Sequence, residues 1–175
     1  MKPTLLRAAL VAVSLAASAC MTPIQSHGEY LHTAPFATFR TFSFAPAEGP
    51  PEGYETTPRS AQIVDAMKPL VAHALELRGW VQAPAGEGDL VVACAAGRRD
   101  TTRMHRVSWR ASLVTGEESE ERDFVEGGIV IDAYDRNGGQ VWHGAARTEI
   151  DPAKPNADRL RQAVDAALAK FPAKR

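Results

Sequence analysis

The chain has 175 residues, 45% hydrophobic and 23% charged, which is ordinary globular composition for one domain with extensions. A net charge of −1 argues against a nucleic-acid or other polyanion partner on bulk electrostatics. Two cysteines, Cys20 and Cys94, in quite different surroundings do not make a disulfide framework.

Residues 1–19 have the form of a targeting segment. Lys2 and Arg7 supply a positive start, and an apolar run around Leu10 to Leu15 follows, too short for a comfortable membrane span. Ala17-Ser18-Ala19-Cys20 then resembles a bacterial lipobox. The resemblance implies a diacylglyceryl thioether on Cys20, cleavage after Ala19, and a further acyl chain such as palmitate on the new amino terminus. The alternative is an ordinary secretory signal cleaved after Ala19. Two or three acyl chains anchor stably, where one is marginal. Loss of residues 1–19 removes Lys2 and Arg7 and leaves 18 basic against 21 acidic side chains. Met21, which is not an aspartate, favours outer-membrane delivery by resemblance to enterobacterial sorting.

Residues 20–34 read as a lipid-anchored flexible tether, with Pro23, Ser26 and Gly28 and no apolar period. His27 and His32 fall in it without the cluster a metal site requires, so no metal is expected. Residues 35–175 read as one α+β domain. Pro35 to Phe44 is expected to be a strand with Phe42 and Phe44 on its buried face. The Pro- and Gly-rich run from Ala45 to Pro58 is expected to be a loop. Thr57-Pro58 is expected to open a helix, Thr57 as N-cap. Ile63, Val64, Met67, Leu70, Val71, Ala74 and Leu77 give that helix one apolar stripe, with Pro69 inside it and Gly79 as its stop.

Trp80-Val81 is expected to start a strand. Asp89 to Ala95 is almost wholly apolar and reads as a central strand, with Cys94 a buried small hydrophobe. Gly97 to Asp123 begins basic and ends acidic, with Val107 to Leu113 as a further strand. It reads as two arms of a long hairpin whose charges pair across the ladder, worth about 0.2–1 kcal/mol a pair. The competing reading is a basic surface for acidic glycan or lipid head groups. Asn156 is expected to cap a second helix, with Leu160, Ala163, Val164, Ala167, Leu168 and Phe171 on its apolar face.

Glu126 to Ala146 carries the plainest pattern, two strands about Asn137-Gly138, a pair suited to a two-residue hairpin turn. That register sets Ala133 opposite Trp142, Asp132 opposite His143 and Ile131 opposite Gly144. Ile129, Ile131, Ala133, Trp142 and Ala146 then share the core face, and Val130, Asp132, Tyr134, Val141 and His143 the other. Two helices with one apolar face each, and a sheet to receive them, predict a two-layer α+β sandwich with a mainly antiparallel sheet and both helices on one face.

Several pieces now lie in one order: the lipobox cysteine, Thr41-Phe42, Gly79-Trp80, Asp89-Leu90-Val91-Val92, Glu126 to Asp132, Val141-Trp142-His143-Gly144 and Phe171-Pro172. Together they resemble a bacterial envelope lipoprotein family, domain of unknown function 4136. His143 stands where that family often has arginine, and the charged segment 97–123 matches no motif of it. The resemblance implies a location and a fold, and no chemistry.

The function expected from the sequence is a lipid-anchored envelope protein with a non-catalytic binding or structural role. It faces the periplasm from the outer membrane and uses no cofactor. Its expected partners are the membrane through Cys20 and another envelope protein or a glycan. The alternatives are a hydrolase or transferase built on Asp132 and His143, since a carboxylate that orients a histidine is half of a general-base device, and a lipid- or glycan-binding module on the sheet face away from the helices.

Overall fold

The computed structural model describes residues 22–46, 49–111, 114–151 and 156–174, with side chains described at all of these except 103–111, 114–120 and 122. Six strands and two helices follow in the order β1 (Gln25–Tyr30), β2 (Thr41–Phe44), α1 (Ser60–Glu76), β3 (Val81–Gln82), β4 (Leu90–Ala111), β5 (Val114–Asp135), β6 (Gln140–Ile150) and α2 (Ala157–Ala167). The fold is α+β. The strands form one mixed sheet in the order β1-β6-β5-β4-β2-β3. It is antiparallel from β1 to β4, while β2 and β3 run parallel. The parallel part arises because α1 carries the chain back between β2 and β3, as a crossover helix must.

The core lies between the sheet and both helices. Val64, Met67, Val71, Ala74 and Leu75 of α1 meet Phe42, Leu90, Val92, Cys94 and Ala96; Ala163, Val164, Ala167 and Leu168 join them with Ile131, Ala133, Trp142 and Ala146. Each fully buried valine, leucine, isoleucine, phenylalanine or methionine among them contributes about 1.5–3 kcal/mol. The helix starts at Ser60 rather than at Pro58. Thr57 is therefore not its N-cap; its amide donates to Ser60 Oγ at 2.9 Å in the turn before the helix. Leu75 completes the buried stripe, and Leu77, just past the last turn, is exposed. Pro69 sits within α1, which continues through it. In α2, Asn156 caps as expected, its Oδ1 accepting from the Arg159 amide at 3.0 Å.

Two expectations change in the first two strands. Residues 25–30, expected within a flexible tether, form β1 and pair with β6. The strand escapes an apolar-period reading because its core-side rung is Gly28, where a Cβ would lie 3.0 Å from the Trp142 ring. It is held by backbone bonds and by Tyr30, stacked on Trp142 with ring centroids 6.4 Å apart. The expected strand from Pro35 shrinks to Thr41–Phe44, and Ser43 is as buried as Phe42 because β2 is interior.

The charged segment extends the β4–β5 hairpin without a break, so Val107 belongs to β4 and not to a separate strand. Its backbone register is that of the long hairpin, with Arg99 opposite Glu126 and His105 opposite Glu120.

Candidate functional site

The residues of the motif pieces meet one another in space. Thr41 and Asp89 lock the starts of β2 and β4. Asp89 Oδ2 accepts from the Arg40 amide (2.8 Å), the Thr41 amide and the Thr41 hydroxyl (both 3.0 Å), and the Asp89 amide donates to Thr41 Oγ1 at 2.9 Å. The backbone bond from Arg40, the largest influence, holds the Asp89 carboxyl below the usual carboxylate range. Trp80, Trp142 and Phe171 form an edge-to-face group: Phe171 lies 5.5 Å from Trp80 and 5.1 Å from Trp142. Trp80 Nε1 donates to the Pro172 carbonyl at 2.9 Å, and Lys174 Nζ lies 4.0 Å from the Trp80 ring centre. Burial, then the nearby Arg40 charge, lowers the Lys174 pKa.

The face of the sheet away from the helices holds the candidate pair. Asp132 stands opposite His143, and His143 Nδ1 lies 2.7 Å from Asp132 Oδ1. Gln140 Nε2 donates to the same oxygen at 2.8 Å. Asp132 is buried and His143 half-buried. Among the described residues no hydroxyl or thiol hydrogen-bonds to the imidazole, and Cys94 is buried on the other face.

The pairing is the expected one, reached by a different turn. The loop is three residues, Arg136 to Gly138, closed by Asp135 and Gly139: the Asp135 amide donates to the Gly139 carbonyl at 2.8 Å. Asp135 Oδ1 accepts from the amides of Asn137 (2.8 Å) and Gly139 (2.9 Å), and Gly138 takes the positive φ of 82°. Such a loop shifts the register by one. A bulge then restores it, because Tyr134 pairs with Gln140 and Ala133 with Trp142, leaving Val141 as the extra residue. The bulge also overturns the expected placement of Val141: it lies in the buried core cluster beside Trp142.

A second polar group on the same face was not legible from the residues alone. Gly97 and Gly128 are opposite each other in β4 and β5. A Cβ on Gly128 would lie 2.6 Å from the Tyr54 ring, and one on Gly97 would lie 2.8 Å from Tyr54 Cβ. The Pro- and Gly-rich loop thus lays Tyr54 across the paired glycines, tied down by Glu55, whose amide donates to the Arg98 carbonyl at 2.8 Å. The Tyr54 hydroxyl donates to Glu126 Oε1, which Arg99 also meets, at 2.8 Å from Nη2. Arg99 lies 4.9 Å from the Tyr54 ring centre. Burial, and then the hydrogen bond to Glu126, push the Tyr54 hydroxyl up to about 12. The usable signal was two glycines inside strands, which mark a close approach.

A shallow open depression of about 560 Å³ lies at the other end of the face, lined by Gly86, Glu87, Gly88, Val91 and Arg136 rather than by Asp132 or His143. Arg136 spans it, donating to the Gly88 and Glu87 carbonyls at 3.2 Å each and meeting Asp89 Oδ1 at 3.1 Å. His27 pairs with Glu29 at 3.5 Å on exposed β1, and His32 packs on Tyr30. Among the described residues no three His, Cys, Asp or Glu side chains gather as metal ligands, and no helix is long and apolar enough to cross a membrane. Cys20 lies outside the described residues.

No curated protein matches the chain. A crystal structure of a PDZ domain protein from Parabacteroides distasonis superposes with a TM-score of 0.53 at 13% identity, a likeness of fold; it covers 100% of this chain, which spans 41% of that one. Two PelC dodecamer structures from Paraburkholderia phytofirmans give a TM-score of 0.46 at 16% and 15% identity, each covering 89% of this chain and 100% of that chain. Residues 27–173 match the family described as Domain of unknown function (DUF4136), so the chain belongs to that family.

Proposed function

We propose that the protein is a lipid-anchored component of the cell envelope with a non-catalytic binding or structural role, held at the outer membrane and facing the periplasm. The observation that carries the anchor is Ala17-Ser18-Ala19-Cys20 closing a short apolar run behind Lys2 and Arg7. In this reading the domain is a two-layer α+β sandwich. Its helices cover one face of the sheet, and the other face is turned outward. The non-catalytic reading is supported by how Asp132 is used: one oxygen serves both His143 and Gln140, on a regular rung of the ladder. That is the geometry of a cross-strand polar pair, and the depression on this face lies elsewhere.

Cys20→Ser tests the anchor. The variant is expected to leave the membrane fraction and to carry no lipid mass on its N-terminal peptide; retention of both would refute the reading. Asp132→Asn tests the role. Complementation is expected to survive it, whereas an enzyme built on this pair would lose function with its stability intact.

A further inference from the structure

Beyond Asp100 and Val125 the β4–β5 ladder leaves the rest of the sheet behind. β6 accompanies β5 only as far as Ile150 opposite Val125. On the other side β2 leaves β4 at Phe44 opposite Val92, and the last backbone pairing among the described residues is the bridge from Glu55 to Arg98. From Thr101–Phe124 to Ala111–Val114 there are eleven rungs with no third strand among the described residues. At about 3.3 Å per residue the ribbon is about 35 Å long. Two strands by themselves are marginal in water, and no described strand takes up the amide and carbonyl groups along either edge.

The two strands differ in charge. The β4 half, residues 101–111, carries Arg103, His105, Arg106 and Arg110 and no acid. The β5 half, residues 114–124, carries Glu117, Glu118, Glu120, Glu121 and Asp123 against one base, Arg122. We propose that this ribbon is an assembly arm through which copies of the chain join head to tail, the basic β4 edge of one copy against the acidic β5 edge of the next.

Charge selects both the occupant and the arrangement. A two-fold contact would set arginine strand against arginine strand, or glutamate against glutamate, and like charges directly opposite destabilise a ladder. Head-to-tail pairing gives each strand neighbours of opposite sign and continues the alternation begun within the hairpin. A partner of one sign satisfies one edge, whereas copies of this chain, one on each side, satisfy both. Each contact leaves one basic and one acidic edge open, so the assembly closes as a ring or grows as a filament.

The full lipidated chain in mild detergent, weighed by light scattering, is expected to be multimeric at low salt and to lose mass at high salt as the edge charges are screened. Arg103→Glu, Arg106→Glu and Arg110→Glu together are expected to give monomers. Because that change also burdens the ladder within each chain, circular dichroism follows the fold. Adding Glu117→Arg, Glu118→Arg and Glu120→Arg is then expected to restore both fold and assembly. Mixing Arg103→Cys, Arg106→Cys or Arg110→Cys chains with Glu118→Cys or Glu120→Cys chains is expected to give disulfides between the two kinds and none from either alone. A monomeric wild-type mass at every salt concentration overturns the proposal. So do a double reversal that stays monomeric and disulfide dimers formed by Arg106→Cys by itself.

Discussion

On the helix side of the sheet, Ile129, Ile131, Ala133 and Trp142 fill volume between strands and helices; on the other side the same strands present Gly128, Val130, Asp132 and His143. The first face is held by packing. The second is held by small residues that let Tyr54 lie flat and by buried carboxylates whose partners are all close at hand. Damage should therefore follow different rules on the two faces. Removing atoms from the first leaves a cavity, while removing a partner from the second leaves a charge.

The largest expected effect is on the packed face. Trp142→Ala should cost about 3–5 kcal/mol, enough to unfold many domains of this size. Among the described residues no acceptor meets the buried Trp142 Nε1, so Trp142→Phe should recover much of that loss by replacing this N–H with an apolar edge. Urea melts of both variants read the difference, and a loss near zero for alanine would erase the distinction between the faces.

Next comes Arg99→Ala, which leaves Glu126, 5% exposed, with Tyr54 as its one remaining side-chain partner among the described residues. Breaking a buried ion pair from one side costs about 3 kcal/mol. The double variant Arg99→Ala with Glu126→Gln should regain part of that, and a denaturant melt of all three chains would show it. Tyr54→Phe should cost about 1.5 kcal/mol at neutral pH for the lost bond to a carboxylate. Its pH dependence sharpens the point. The folded hydroxyl titrates at about 12 against 10.0 for an ordinary tyrosine. The wild-type contribution is therefore fully present below pH 10 and is lost between pH 10 and about 12, as the unfolded chain ionises first. The gap between wild type and Tyr54→Phe should close over that window. Smallest of all, His143→Ala should cost less than about 1 kcal/mol, since His143 is partly solvated and Asp132 keeps Gln140. A melt showing several times that loss would place His143 among the residues that hold the fold.

Much of the packed face was legible in the residues because burial leaves a period. Ile129, Ile131 and Ala133 alternate, Val64, Met67 and Val71 recur at helical spacing, and Asn156 stands where a cap is needed. β1 left no such mark, because an edge strand with Gly28 on its core side needs no apolar alternation. The parallel pairing of β2 with β4 was equally silent, since strand order is decided by where α1 crosses. The polar group around Tyr54 depends on contacts between residues 72 apart in sequence, Tyr54 and Glu126, and no local pattern carries such a distance. The Asp132–His143 pair was reached through a loop one residue too short, and the Val141 bulge made up the difference.

That bulge makes the hairpin tip a place where length can change while the register holds. Asp135–Gly139 and Tyr134–Gln140 pair on one side of Val141, and Ala133–Trp142 on the other. Losing Val141 removes the kink and makes those rungs consecutive, with Asp132 still opposite His143. Losing one residue from the Arg136–Gly138 loop leaves Asp135 and Gly139 closing a two-residue turn over the same rungs. Across related chains the tip should therefore vary in length while the rungs from Ala133 onward stay in phase. A chain deleted at Val141 should keep the Asp132–His143 contact and lose the buried volume of one side chain.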